Sequence, residues 1–233
     1  MSRYILAHLA RADAVMGGLI RAHGPYALVA EPAMHPFQSL ARAITHQQLN
    51  GHAARTILQR FVTSCGNGAF PEPSVILTTP ARQLRAAGLS AAKIAALQDL
   101  ARKTLEGIVP DAPTLAALDD VAIIERLTQV RGIGCWTVQM LLMFQLGRPD
   151  VLPVDDFGVR NGFRLAYGLR KLPPPRLLAK YGERWAPHRT AAAWYLWRAN
   201  DLHKAGRLPL PLLRIRLPRV KAVRKARPAR ADK

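Results

Sequence analysis

Cysteine is scarce in this sequence, and its scarcity excludes several kinds of protein. The chain has two cysteines, Cys65 and Cys135, in 233 residues. Two are too few for a disulfide scaffold, a cysteine-rich zinc site or a four-cysteine iron–sulfur cluster. The seven histidines form no i, i+4 pair and no set with the cysteines, so we expect no transition metal. A reducing compartment is the default expectation for so few thiols.

Long apolar runs and strand patterns are also missing. No apolar run approaches the roughly 20 residues of a membrane span. The first residues, MSRYILAHLARADAVM, mix charged and apolar side chains and lack the core of a signal peptide. No alternation of apolar and polar residues is sustained along the chain, which disfavours β-strands. We therefore expect an intracellular, cytoplasmic protein that does not associate with membranes.

Acidic residues are few relative to basic ones. Against 34 lysines and arginines stand 15 aspartates and glutamates, a net charge of +19. Residues 214–233 hold nine basic residues and one acidic residue, so the rest of the chain, at +11, is basic in its own right. This predicts a polyanionic partner, with a solvated arginine-rich surface as the alternative. Residues 209–233 are predicted to form a basic, flexible tail that either adds non-specific affinity for a polyanion or is simply solvated.

Helical periodicity, by contrast, runs from one end of the sequence to the other. Apolar residues recur at helical spacing, which predicts an all-α protein of about ten helices arranged in two lobes. A single helix is predicted over residues 1–22. Further helices are expected to open at Pro36, after the capping residue Ser90, and at Pro187.

The stretch from residue 127 to residue 160 carries most of the functional signal. Gly132 and Gly134 lie between two amphipathic helical patterns. Glycine permits positive φ and lets backbone N–H groups approach an anion closely. The second helix, predicted over Cys135–Leu146, would begin at this hairpin, and its N-terminus is polarised to favour a phosphate.

The same stretch carries a resemblance to a known family. Gly132-Ile-Gly-Cys-Trp-Thr, followed by Val-Asp-Asp-Phe at 154–157, resembles the helix-hairpin-helix superfamily of base-excision DNA glycosylases, within it the alkylpurine (3-methyladenine) branch. Three further segments resemble the branch in the expected order: Leu40–Leu49, Leu84–Ala101 and Glu183–Trp197. The resemblance implies a glycosylase domain over residues 1–208, with the helix-hairpin-helix motif at about 119–147 and a catalytic loop at 148–157. Arg131 departs from the family's usual proline, and Val138 from its frequent alanine.

The resemblance implies an activity as well as a fold. The expected enzyme is a monomer without a cofactor that hydrolyses the N-glycosidic bond of alkylated purines, such as 3-methyladenine and 7-methylguanine, in double-stranded DNA. Members that also cut the strand use a lysine just after the hairpin as a Schiff-base nucleophile. Trp136 stands there instead, which implies a monofunctional glycosylase. The alternative is a non-catalytic helix-hairpin-helix protein that binds damaged or bent DNA. In a bacterium either would associate with the nucleoid.

Two adjacent aspartates are candidates for the catalytic carboxylate. Cleavage of a glycosidic bond develops positive charge on the sugar, which a carboxylate stabilises, and the same group can orient or deprotonate water. The spacing from Trp136 in the resembling family places the catalytic role on Asp156. Asp155 is then expected to cap the helix that follows. An exchange of these roles, or two purely capping residues, are the alternatives.

The resemblance also implies residues that hold the base. A cationic, alkylated purine stacks favourably on an electron-rich indole, and the implied pocket contains Trp136, Trp197, Met140 and Gln47. The alternative for the tryptophans is an ordinary place in the core.

A further set of residues is expected to contact the DNA. Gln48, Leu49 and Asn50 are candidates to fill the gap that an extruded base leaves in the duplex, although an ordinary polar turn is the alternative. Arg131, Gly132 and Gly134 are expected to contact phosphate. Relatives also hold a monovalent cation between hairpin carbonyls and phosphate, and the corresponding carbonyls are those of Val130 and Gly132.

Overall fold

The structure, a computed structural model, describes residues 2–31, 35–49 and 51–207, and these residues are helical without a strand. A 3₁₀-helix, Glu183–Trp185, accompanies thirteen α-helices. The α-helices are α1 Ser2–Ala12, α2 Ala14–His23, α3 Pro36–His46, α4 Gly51–Gly66, α5 Pro73–Thr78, α6 Ala81–Ala86, α7 Ala91–Leu105, α8 Ala112–Ala117, α9 Asp120–Leu127, α10 Cys135–Phe144, α11 Phe157–Ala166, α12 Pro175–Gly182 and α13 Arg189–Lys204. Ten have seven residues or more and three have six. The all-α prediction of about ten helices is confirmed.

Some sequence predictions fall outside the described residues. These are the role of Asn50 in the DNA-contacting loop and the basic tail over residues 209–233. Within the described ranges, no helix is both long and apolar enough to cross a membrane.

The chain divides into two compact units, in agreement with the predicted two lobes. The terminal unit combines Met1–Tyr26 with Val154–Lys233, and the central unit is Ala27–Pro153. The central unit therefore contains α3 to α10, including both helices of the predicted helix-hairpin-helix motif. The terminal unit contains α1, α2 and α11 to α13.

The predicted single helix over residues 1–22 is wrong, because the chain breaks at Asp13 into α1 and α2. Asp13 has an extended backbone, and its side chain accepts hydrogen bonds from the N–H groups of Val15 and Met16 as the cap of α2. Its other oxygen accepts from the Tyr167 hydroxyl at 2.5 Å and the Trp185 indole N–H at 3.1 Å. A buried carboxylate requires such donors. The residue that separates α1 from α2 therefore also connects them to Tyr167 and Trp185 in the rest of the terminal unit.

In the central unit, the helices that carry the predicted functional residues have strongly apolar faces. α3 buries Phe37, Leu40 and Ile44. It opens as predicted at Pro36, where the His35 imidazole accepts from the Phe37 N–H. α10 buries Val138, Leu141, Leu142 and Met143. Packing of these faces fixes both helices, so that their remaining faces can present functional side chains.

In the terminal unit, α11 lies directly against the backbone of α13. A Cβ atom added to Gly162 would lie 1.8 Å from the Leu196 carbonyl oxygen, so only glycine permits this approach. The contact places the first turn of α11, which follows the two aspartates, beside Trp197 of α13.

Candidate active site

Asp156 is the residue that caps α11. Its Oδ1 accepts a hydrogen bond from the Val159 N–H at 2.7 Å and another from the Trp197 indole N–H at 2.8 Å. The prediction that Asp155 caps this helix is therefore wrong. The physical reason is the start of the helix: α11 begins at Phe157, so the preceding Asp156 is the residue whose side chain reaches the N–H three positions on, while Asp155 is exposed.

The donors around Asp156 are themselves held in place. The Asn200 Nδ2 donates to the Gly158 carbonyl at 2.8 Å, and the Asn161 Nδ2 donates to the Asn200 Oδ1 at 2.6 Å. These bonds fix the first turn of α11 to α13, the helix that carries Trp197. Sequence reasoning missed both asparagines, since nothing in their spacing marks them as partners.

A pocket of about 390 Å³ lies in the central unit between α3 and α10. The predicted pocket residues Trp136, Met140 and Gln47 line it, and 46% of Trp136 is exposed. Its other lining residues are Ser39, Leu40, Ala43, His46, Gln48, Thr137, Leu141, Phe144 and Gln145. This volume is within the range of pockets that take small ligands. Trp197 belongs to the terminal unit, where its N–H is bonded to Asp156; its predicted contact with the base stays a prediction.

The loop between α3 and α4 has the exposed side chains that a contact with DNA requires. Gln48 is exposed and has a φ of +58°, an uncommon conformation for a residue other than glycine. Leu49 is 38% exposed, a large share for a leucine. Gln47 is turned inward instead, and its Nε2 donates to the Gly132 carbonyl at 2.8 Å. This bond ties the loop to the hairpin of residues 128–134.

Only one of the two hairpin glycines uses the positive φ that glycine permits. Gly132 has a φ of +79°, whereas Gly134, which precedes the first residue of α10, has a φ of −98° and an extended backbone. Within the described part of the chain, neither glycine N–H has an acceptor, so both can bind an anion at the start of α10. The Val130 carbonyl accepts from the Ile133 N–H at 3.0 Å. The Gly132 carbonyl accepts from the Gln47 Nε2. Because a carbonyl oxygen has two lone pairs, each of these two oxygens can still bind a cation. The cation contacts at Val130 and Gly132 stay predictions.

Asp99 of α7 is hydrogen-bonded to the backbone of the hairpin. Its Oδ2 accepts from the Arg131 backbone N–H at 2.8 Å and is 3.1 Å from the Lys103 Nζ. Burial raises the pKa of Asp99, but the hydrogen bonds from Arg131 and Lys103 outweigh it, and the net pKa is below its ordinary value. Asp99 is therefore an ionised anchor, while the exposed Arg131 side chain is available for phosphate. The sequence did not indicate Asp99.

The histidine and acidic side chains form no metal site in residues 2–31, 35–49 and 51–207. No group of three or more His, Cys, Asp or Glu residues lies close enough to hold a metal ion there. The terminal unit offers the Asp156 carboxylate with its indole partner Trp197, and the central unit offers a pocket lined by the Trp136 indole and by amides.

Comparison with known proteins identifies the class. A family profile described as HhH-GPD superfamily base excision DNA repair protein matches residues 41–188. The chain belongs to this superfamily. Among curated proteins it is similar to DNA-3-methyladenine glycosylase 1 of Schizosaccharomyces pombe, with 45% identity over 167 residues, 72% of this chain and 73% of that protein.

Two solved structures share the fold at substantial identity. One is the 3-methyladenine DNA glycosylase of Schizosaccharomyces pombe in complex with abasic DNA, with a TM-score of 0.76 and 40% identity over 85% of this chain and 97% of that one. The other is a DNA-3-methyladenine glycosidase from Bacillus halodurans, with a TM-score of 0.77 and 34% identity over 86% of this chain and 91% of that one.

Proposed function

We propose that this protein is a monofunctional DNA glycosylase that hydrolyses the N-glycosidic bond of alkylated purines, of the 3-methyladenine and 7-methylguanine class, in double-stranded DNA. The observation that carries the proposal is Asp156, a carboxylate oriented by two donors on one oxygen. The names of the similar proteins support the substrate class. We further propose that the protein acts as a monomer in the cytoplasm, on the nucleoid in a bacterium.

In the proposed mechanism, three sets of residues bind the DNA and the extruded base. The exposed glycine N–H groups and Arg131 bind phosphate, the loop containing Gln48 and Leu49 fills the space left by the extruded base, and Trp136 stacks on that base. An N3- or N7-alkylated purine is cationic, so it leaves with the bonding electron pair as a neutral base and needs no proton donor.

The Asp156 carboxylate stabilises the positive charge that develops on the sugar as this bond breaks. Water then forms a bond to the anomeric carbon and transfers its proton to Asp156, from which the proton passes to solvent. The products are a free base and an abasic site. Trp136, where a lysine nucleophile would otherwise stand, offers no amine for strand cleavage.

The test is release of bases from methylated duplex DNA, measured by chromatography. The wild type should release 3-methyladenine or 7-methylguanine, and Asp156→Asn should lower the rate by at least about a hundredfold, the scale of general acid–base and electrostatic catalysis. Asp155→Asn is the matched control, because this neighbour is exposed and carries the same charge; its rate should stay close to that of the wild type.

The alternative function predicts a different pattern. If neither the wild type nor Asp156→Asn releases a base but both bind the duplex equally, the protein is a damage-binding module. If Asp155→Asn loses the activity and Asp156→Asn keeps it, the proposed carboxylate is wrong although the enzyme class stands.

A further inference from the structure

His46 is a polar residue in the wall of the pocket that the sequence did not single out. It is the last residue of α3 and lines the same pocket of about 390 Å³ as Trp136 and Met140. Apolar and amide side chains make up most of this wall. An imidazole there is able to distinguish one bound base from another.

The hydrogen bonding of His46 fixes which ring nitrogen carries the proton. Its Nδ1 lies 2.8 Å from the carbonyl oxygen of Arg42, one turn earlier in α3. A carbonyl oxygen only accepts, so the Nδ1 is the protonated nitrogen and donates this bond. In the neutral ring the Nε2 then has a lone pair and no proton. Since Nδ1 faces the backbone of its own helix, Nε2 faces away from it, and neutral His46 can only accept from a ligand.

Two amides in the same wall are oriented in a similar way. The Gln47 Nε2 donates to the Gly132 carbonyl, so the nitrogen end of this amide is anchored to the hairpin. The Gln145 Nε2 donates to the Ser39 hydroxyl, which in turn donates to the His35 carbonyl. One N–H of each amide is thus bound to a protein acceptor, and the neutral His46 Nε2 adds an acceptor without a donor. This part of the pocket favours a base that brings hydrogen-bond donors.

We propose that His46 is a specificity-determining residue that accepts a hydrogen bond from the exocyclic amino group of an alkylated adenine. Adenine has an amino donor at position 6, where guanine has a carbonyl acceptor. The positive charge of the alkylated ring strengthens a bond from its amino group. An alkylated guanine would instead place the lone pairs of its O6 against that of Nε2. The pocket therefore prefers alkylated adenine, an inference that rests on the proposed function.

The test compares two adducts in one reaction. Duplex DNA treated with a methylating agent contains both 3-methyladenine and 7-methylguanine, and the ratio of their release rates does not depend on the fraction of protein that is folded. His46→Leu removes the acceptor and should lower the ratio of 3-methyladenine to 7-methylguanine release by about tenfold, the scale of one net hydrogen bond. His203→Leu, at an exposed histidine of α13, is the control and should leave the ratio unchanged.

A second variant covers the case in which His46→Leu is inactive. His46→Gln keeps an acceptor and adds an amide donor, so it should raise the release of 7-methylguanine relative to the wild type while 3-methyladenine release persists. An equal fall in both adducts, or an unchanged ratio in both variants, would overturn the role of His46. If the wild type itself releases neither base, the proposed function is wrong, and the inference about His46 is wrong with it.

Discussion

At the scale of single residues, Asp156 combines two roles in one oxygen atom. Its Oδ1 caps α11 through the Val159 N–H and accepts the Trp197 indole N–H. A capping bond alone would be an ordinary structural feature. The indole N–H is the additional element, because it comes from another helix and orients the carboxylate independently of the cap.

Trp197→Phe should therefore impair the reaction more than the binding of DNA. Phenylalanine keeps an aromatic ring but lacks the N–H, and a hydrogen bond to a charged group contributes about 1.5 to 3 kcal/mol. We expect kcat for base release to fall about tenfold or more, with the affinity for duplex DNA unchanged. Single-turnover release and a DNA titration measure the two quantities separately.

Two further variants test the role of the Trp197 indole N–H. Trp194→Phe, on the same helix but buried beside His23 and Tyr195, should keep kcat within about twofold of the wild type. Gly158→Ala should resemble Trp197→Phe, since its Cβ would lie 2.8 Å from the Trp197 ring. A Trp197→Phe enzyme with wild-type kcat would show that the indole N–H has no role in the reaction.

At the scale of structural elements, the hairpin depends on α7. Asp99→Ala removes the acceptor of the Arg131 N–H and the partner of Lys103. The substitution also makes the protein more positive, which by charge alone would tighten DNA binding. We expect the opposite, weaker binding with a Kd for duplex DNA about fivefold higher, because the hairpin loses its anchor. A fivefold change corresponds to about one net hydrogen bond.

The control for this prediction is Glu106→Ala. Glu106 is exposed, lies immediately after α7 and carries the same charge, so its removal should leave DNA affinity equal to the wild type or slightly higher. Binding measured by fluorescence anisotropy distinguishes the two variants. Tighter binding by Asp99→Ala would show that charge, and not hairpin geometry, dominates.

The break between α1 and α2 predicts an effect on stability. Asp13 is 5% exposed and accepts from Tyr167 and Trp185. Burial, followed by the Asp13 charge, raises the pKa of Tyr167 well above its ordinary value, so the hydroxyl remains a donor. Asp13→Asn places an amide donor among these donors and should lower the free energy of unfolding by about 2 to 4 kcal/mol.

A thermal unfolding experiment checks this prediction. The corresponding fall in Tm is roughly 5 to 15 °C for a chain of this size. Asp201→Asn is the control, because Asp201 forms an exposed ion pair with Arg198 and such pairs contribute about 0 to 1 kcal/mol. Equal Tm values for the two variants would show that the Asp13 cluster is not a significant source of stability.

At the scale of the whole molecule, we expect charge to contribute strongly to the affinity for DNA. The sequence has a net charge of +19, and each phosphate neutralised adds about 0.9 to the slope of log affinity against log salt concentration. We expect steep salt dependence for undamaged duplex DNA, with a slope that falls by about one in Arg131→Ala. Titrations at several salt concentrations measure both slopes.

The control is an arginine on a helix that is not part of the hairpin. Arg82 is exposed on α6, and Arg82→Ala changes the net charge by the same amount. Its slope should match that of the wild type. Equal losses in both variants would mean that Arg131 acts through general charge and does not contact a phosphate.

Much of this molecule could be predicted from local sequence. The positive φ of Gly132, the helix start at Pro36 and the cap at Ser90 follow from the chemistry of single residues and their neighbours, and the structure has them as predicted. Local sequence could not predict whether Asp155 or Asp156 caps α11. The cap depends on which residue begins α11, and both aspartates are suitable caps.

The sequence by itself determined the helical class, the hairpin and the basic charge, because periodicity, glycine conformation and charge are properties of short segments. Only the tertiary structure decided which distant groups meet. Asp13 with Tyr167, Asp99 with the Arg131 N–H, and Asp156 with the Trp197 indole are pairs separated by 154, 32 and 41 residues. Such contacts arise from the packing of whole helices, which no local pattern encodes.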